Sequence, residues 1–253
     1  MYNSYNTLEM EQTFRGKTVL VTGAGWGIGA ATALLYGAYG AKVVVSDTSQ
    51  KGGKDIVAKI NSQNGAATYI KSDVSNAAAC KKLIKRTIET YGSIDIACNN
   101  SAIFSESLYP ADKHREAFNK EVGLNLNSLH NCMQYEIEAM LKQGGGVIIN
   151  TSFILGAIGL TSLSRFVKAK YGLAALLQTT PGEYPARGIH INTIAPAFIN
   201  AALLHAMIQP EKGKQEELSP LGRLGMAQEV AGLALWLSSD ETPPLETFFT
   251  DYN

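Results

Sequence analysis

Short apolar runs alternate along the chain with segments whose apolar residues recur at helical spacing. KTVLVTGAG, residues 17–25, is a strand-like run ending in glycines, and GIGAATALLYGAYG, 27–40, carries the period of a helix. The alternation then repeats. AKVVVSD (41–47), ATYIKSD (67–73), IDIACNN (94–100), GVIINTS (146–152) and HINTIAP (190–196) read as strands. Between them SQKGGKDIVAKINSQNG (49–65), closed by Gly65, NAAACKKLIKRTIETYG (76–92), residues 112–142 and TSLSRFVKAKYGLAAL (161–176) read as helices. Strands alternating with helices imply right-handed βαβ units. The expected fold is a single-domain α/β structure of Rossmann type, a doubly wound parallel sheet with helices on both faces. A polar extension over residues 1–14 precedes one domain over 15–253.

Composition narrows the partners. Lys and Arg number 22, as do Asp and Glu, and no basic run or stripe stands out, so nucleic acid and membrane surfaces are not expected partners. The N-terminal stretch has no apolar signal core, and no apolar run reaches bilayer length, so a cytoplasmic protein is expected. Cys80, Cys98 and Cys132 show no metal-ligand spacing; buried free thiols in a reducing compartment are expected, and no metal.

The first strand-to-helix turn carries the first sign of chemistry. In TGAGWGIG, Gly23, Gly27 and Gly29 let the backbone turn sharply and approach a pyrophosphate at the positive end of a helix dipole, although the spacing is not GxGxxG and a merely tight turn has the same look. Asp47 ends the second strand near the offset of a carboxylate that bonds the adenosine ribose, and there it would repel a 2′-phosphate, favouring NAD over NADP. Flanked by Ser46 and Thr48, it could equally serve a turn or a helix cap.

These stretches, with SDV at 72–74, NN at 99–100, LNLNS around Asn125, KAKYGL around Lys170, INTIAPAFI and PLGRLGMAQEVAGLALWLSSD, make the chain resemble the short-chain dehydrogenase/reductase family from about residue 15 to 240. The resemblance implies hydride transfer between a nicotinamide and an alcohol/ketone pair. It implies a dinucleotide held by Gly23, Trp26, Gly27, Ile28, Gly29, Asp47, Asp73, Val74, Asn99, Lys170 and Ile199, and a homodimer or homotetramer joined through the helices near 112–142 and 164–180.

The catalytic set carries over only by half. The family's asparagine and lysine fall at Asn125 and Lys170, but its proton-transferring tyrosine falls at Phe166 and its substrate-binding serine at Phe153. Tyr171 follows Lys170, and one helical position is a turn of about 100° that points its ring elsewhere, while Ser152 faces the opposite side of its strand from Phe153, so neither is expected to substitute. Ala102, Ala197 and Ala201 replace further family residues, Pro181 and Gly182 enter the expected last turns of the active-site helix, and the tail ETPPLETFFTDYN lacks the family's ending.

Three readings follow. The first is an NAD(H)-dependent oxidoreductase with impaired or redirected activity on a small apolar or cyclic substrate. The second is an NAD-binding pseudoenzyme, and the third a non-redox enzyme using Lys170 in an apolar pocket, where desolvation lowers a lysine pKa. Residues 200–217 suit either a partly apolar lid or a pair of surface helices.

Overall fold

The computed structural model describes residues 13–101, 123–152, 180–200, 222–240 and 249–251. The strands are β1 (Thr18–Thr22), β2 (Lys42–Asp47), β3 (Ala66–Lys71), β4 (Ile96–Asn99), β5 (Gly146–Thr151), β6 (Ile189–Ala195) and β7 (Phe249–Asp251). The described helices are α1 (Gly27–Ala38), α2 (Gln50–Ser62), α3 (Ala77–Tyr91), α4 (Ser128–Gln143) and α5 (Ala227–Leu237). The strands form one seven-stranded sheet in the order β3-β2-β1-β4-β5-β6-β7. All its pairs are parallel. The order reverses between β1 and β4, which opens a crevice beyond the carboxyl ends of those strands.

Both faces of the sheet are covered, which is why the middles of its central strands are apolar on both sides. On one face Leu20, Val44, Ala97, Ile148 and Ile191 pack with Leu83 and Ile84 of α3 and Leu129, Met133 and Met140 of α4. On the other, Val19, Val21, Val43, Val45 and Ile149 pack with Ala33 and Tyr36 of α1, Ile56 and Ile60 of α2, and Val230 and Ala234 of α5. The doubly wound architecture expected from the alternating pattern is therefore present, with a core on each side of the sheet. Among the described residues no helix is long and apolar enough to cross a membrane.

Four local features differ from the sequence reading. The α2 segment closes at Asn64, which takes the left-handed conformation at φ 61°, rather than at Gly65. Gly65 is needed for space instead: a Cβ there would lie 2.6 Å from Ile60 Cγ2 and 2.9 Å from the Ile60 carbonyl oxygen. Of the helix expected over 112–142, the described part begins with a five-residue π-helical turn, Gly123–Asn127, before α4. Pro181 stands second in a short 3-10 turn, Thr180–Glu183, rather than in a regular α-helical turn. Finally, the altered tail supplies β7, which pairs Phe249 with Thr193 and Asp251 with Ala195. A three-residue strand is too short to leave a periodic signal.

Tyr36 joins α1 to α5. Fully buried, its hydroxyl meets Ser238 Oγ at 2.6 Å and donates to the Ala234 carbonyl at 3.1 Å. Its ring stands edge-on to Phe14 at 5.2 Å between centroids. Ser238 Oγ also reaches the Ala234 carbonyl, at 2.9 Å, so Tyr36→Phe leaves little unpaired and is expected to cost only about 1 kcal/mol in urea unfolding. Tyr36→Ala, which opens a cavity between the helices, is expected to cost about 3–5 kcal/mol.

Candidate dinucleotide site

Helix α1 begins without a side-chain cap and with no acidic residue in its first turn. Its leading N–H groups therefore face the crevice unneutralised, and their dipoles favour an anion there. Gly23 and Gly27 reach this geometry in the left-handed region, at φ 60° and 58°. Gly29 is required by contact rather than by dihedral angle. A Cβ on it would be driven into the Gly23 carbonyl oxygen and would lie 2.7 Å from Asn100 Nδ2.

The turn is braced from β4. Asn100 follows the last residue of that strand; its N–H donates to Thr22 Oγ1 at 3.2 Å and its carboxamide to the Gly23 carbonyl at 3.4 Å. A Cβ on Gly23 would lie 3.0 Å from Ser101 Cα, so the two loops touch backbone to backbone. Sequence reading placed Asn99 in the site, but it is Asn100 that reaches the glycine turn. Asn99 is buried beneath, where its carboxamide donates to Glu136 Oε2 at 2.8 Å and to Asn150 Oδ1 at 3.1 Å.

Asp47 ends β2 at the rim of the same crevice and is buried. Its Oδ2 accepts from Gly25 N at 2.9 Å and its Oδ1 from Ser49 N at 2.7 Å. The carboxylate thus ties the glycine turn to the start of α2, while the cap of α2 is Ser49, whose hydroxyl accepts from Gly52 N. The Asp47 carbonyl accepts from the Tyr69 hydroxyl at 2.8 Å, and burial raises the pKa of that phenol. A carboxylate held by two N–H groups keeps lone pairs free for the vicinal hydroxyls of a ribose.

Gly52 and Gly53 were missed by sequence reading. A Cβ on Gly52 would lie 2.8 Å from the Gly25 carbonyl oxygen, and one on Gly53 would strike the Tyr69 ring. The signal was present, because two glycines in the first turns of a helix are costly unless backbone or an aromatic ring must come close.

The other expected contacts divide. Asp73 is exposed, and its Oδ1 accepts from Ser75 Oγ at 2.6 Å and Ser75 N at 3.1 Å, an arrangement that serves its own turn. Val74 is buried beside it, and its carbonyl accepts from Asn131 of α4 at 3.4 Å. Trp26 is 43% exposed at the mouth of the turn. Ile28 is half-buried and packs against the core on the α1 side of the sheet. Ile199 follows β6 and is held to Gly225 by a parallel bridge, with Asn200 N donating to the Gly225 carbonyl at 2.8 Å.

Asn125 lies within the π-helical turn and is buried. Such turns re-aim side chains at functional sites. Phe153, Phe166 and Lys170, with Ala102, Tyr171 and Ala201, lie outside the described residues. Cys80, Cys98 and Cys132 are all free and buried, as expected. Among the described residues no three His, Cys, Asp or Glu side chains gather to hold a metal.

A family model described as enoyl-(acyl carrier protein) reductase matches residues 23–245. A cyclohexanol dehydrogenase of Acinetobacter sp. is 35% identical over 232 residues, covering 92% of this chain and 91% of that protein. A 2,5-dichloro-2,5-cyclohexadiene-1,4-diol dehydrogenase of Sphingobium indicum is 33% identical over 229 residues, covering 89% and 90%. Among solved structures, levodione reductase superposes with a TM-score of 0.86 at 29% identity, covering 92% of this chain and 95% of that one.

The glycine contacts give a direct test. Gly29→Ala is expected to cost about 1–3 kcal/mol in chemical unfolding, because backbone must move to admit the methyl group. Gly232→Ala in α5, where a Cβ would meet nothing within 4 Å, is expected to gain about 0.4–1 kcal/mol.

Proposed function

The chain belongs to the short-chain dehydrogenase/reductase family, and from that we propose that this oxidoreductase binds NAD(H) at the β1–α1 turn and acts on a small cyclic alcohol/ketone pair through a proton relay altered at Phe153 and Phe166. The observation that carries the cofactor half is Asp47, buried at the end of β2 and hydrogen-bonded to the glycine turn itself. An adenosine ribose seated against it would place a 2′-phosphate beside a carboxylate, a like-charge contact with no cation there among the described hydrogen bonds. The substrate half rests on relatives named for cyclohexanol and a cyclohexadiene diol.

In this reading the chain's own residues divide the work. The α1 N–H groups and the glycine backbone hold the pyrophosphate, Asp47 orients the adenosine ribose, and Lys170 holds the nicotinamide ribose. Bound NADH supplies the hydride. Phe153 and Phe166 offer no proton and no hydrogen bond to the substrate oxygen, so hydride transfer is left to proximity and orientation. General acid catalysis contributes roughly 10² to 10⁴ in rate, and an oxyanion hydrogen bond roughly 10² to 10³. The same substitutions support a second reading, a pseudoenzyme whose nucleotide site serves binding alone; tight NADH binding with no turnover on a broad panel of cyclic and aromatic ketones would establish it. We further propose a homo-oligomer, to be read by light scattering at micromolar concentration.

Calorimetric titration is expected to show NADH binding more tightly than NADPH; the reverse order would overturn the assignment of Asp47. Asp47→Ala is expected to relax the preference. It should also lose about 1–3 kcal/mol of stability, because Gly25 N and Ser49 N lose their acceptor.

Restoring both hydroxyls with Phe166→Tyr and Phe153→Ser is expected to raise NADH-dependent ketone reduction by roughly 10² or more, since the sequence already carries Lys170 to tune the tyrosine and Asn125 to complete the relay. Each single change should recover much less, because the two groups act on one oxygen. A double variant that binds NADH yet stays as inactive as the parent would place the defect elsewhere in the chemical half.

A further inference from the structure

Glu136 is fully buried on the face of α4 that packs on the sheet, among Cys132, Met133, Ile137 and Met140. Its Oε2 accepts from Asn99 Nδ2 at 2.8 Å, and the same nitrogen donates to Asn150 Oδ1 at 3.1 Å. The remaining oxygens of this pair, Glu136 Oε1 and Asn99 Oδ1, are both buried without a hydrogen-bond partner. A carboxylate oxygen and a carboxamide oxygen cannot bond each other, whereas a carboxylic acid can close a second bond to the amide it already accepts from. One proton between them would satisfy both orphaned atoms at once.

We propose that Glu136 is a positioning residue for the dinucleotide site, held in the folded protein as the neutral acid whose Oε1 hydroxyl donates to Asn99 Oδ1 and closes a two-bond ring with that carboxamide. The functional half of this rests on reading the glycine turn as a dinucleotide site; the ring itself does not. Asn99 ends β4, and the next residue, Asn100, braces that turn through Thr22 and the Gly23 carbonyl. Loss of the proton turns the second bond into two facing acceptors in a dry interior, and the strain falls on the strand end that supports the turn.

The surroundings favour the acid. From β4 and β5 the carboxyl meets Asn99 and Asn150, and Asn150 in turn donates to Met133 Sδ at 3.5 Å. Cys132 lies one turn away on α4 and contacts Cys80 of α3 at 3.8 Å between sulfurs, while Cys98 stands next to Asn99 on β4. Burial pushes the Cys98 thiol up to about 12. The Cys132 thiol is raised by its contact with Cys80 and by burial, so these neighbours bring no positive charge to stabilise a carboxylate. Burial pushes Glu136 itself up from 4.5 to about 7, against the smaller opposing pull of the Asn99 N–H. A raised carboxyl means that the folded chain holds a proton the unfolded chain releases. The stability tied to it is complete below about 4.5, falls as pH rises, and is lost once pH has passed about 7.

Glutamine is the isostere of the neutral acid, since its oxygen accepts from Asn99 Nδ2 and its amide donates to Asn99 Oδ1. The test uses the full chain with carbon-13-labelled glutamate, the Glu136 carboxyl resonance being identified by its loss in Glu136→Gln. In the wild type without cofactor that resonance should show the neutral acid at about pH 5.5 and titrate near neutrality, well above the other glutamates. The thermal midpoint of the wild type should fall by about 5 °C between about pH 5.5 and 8.5 relative to that of Glu136→Gln. Over the same range, NADH affinity should weaken about tenfold in the wild type and stay level in the variant.

A Glu136 carboxyl already ionised at about pH 5.5, or a Glu136→Gln chain that fails to fold or is less stable than the wild type there, overturns the ring. If the ring stands but NADH affinity follows the same pH course in both proteins, the positioning role is overturned. If NADH binds neither protein at any pH, that role falls together with the dinucleotide reading, while the carboxyl resonance still decides the ring.

Discussion

The first turn of α1 lies directly on the Gly23 carbonyl and the Asn100 carboxamide because Gly29 has no Cβ to hold them apart. Much of the crevice depends on that contact. It sets how closely helix and strand approach at the topological reversal, and so where the uncapped helix terminus points. Asp47 ties the turn to α2 from one side, and Asn100 braces it on β4 from the other. The site is consequently built from main chain, with side chains serving mainly to hold main chain in place.

Beneath it the sheet carries polar side chains at the level where its strands end. Ser46 and Thr22 are paired in register, as are Asn99 with Asn150 and Asn150 with Thr193. Buried polar groups weaken a fold unless they are paired, and when paired they fix register more sharply than apolar packing does. Thr22 meets this condition through Asn100 N, and Asn150 through Asn99 and Met133. Glu136 is the acidic member of the group on the helix above, so the protonation state of one carboxyl bears on whether the β4 end of the row is satisfied or strained.

Periodicity made the sheet legible, because strands buried on both faces are continuously apolar and the helices between them are not. It could not show the ends of elements, where single contacts decide: Asn64 closes α2 because Gly65 must pack on Ile60, and β7 is too short to have a period. In the proposed site, Gly23, Gly27 and Gly29 were legible because close backbone approach demands glycine, and Asp47 because a carboxylate at a strand end is a ready acceptor, here of the Gly25 and Ser49 N–H groups. Asn99 and Asn100 are adjacent and chemically identical, and only the pleat, which sends successive side chains to opposite faces, decides that Asn100 reaches the turn while Asn99 faces Glu136. Glu136 left no signal, since a glutamate within a helical pattern reads as part of its solvated face.

The two halves of the proposed site depend on different kinds of atom. The described half is held by N–H groups, carbonyls and absent Cβ atoms, all fixed by the packing of α1, α2 and β4. Hydride chemistry in the family depends instead on two side-chain hydroxyls, and in the proposed alignment Phe153 and Phe166 stand at those positions. Exchanging tyrosine for phenylalanine removes a proton donor while keeping ring volume, so it makes little demand on the backbone that cradles the dinucleotide. On that proposal the cofactor half can persist while the chemical half changes, and a glycine turn this closely packed carries no information about turnover.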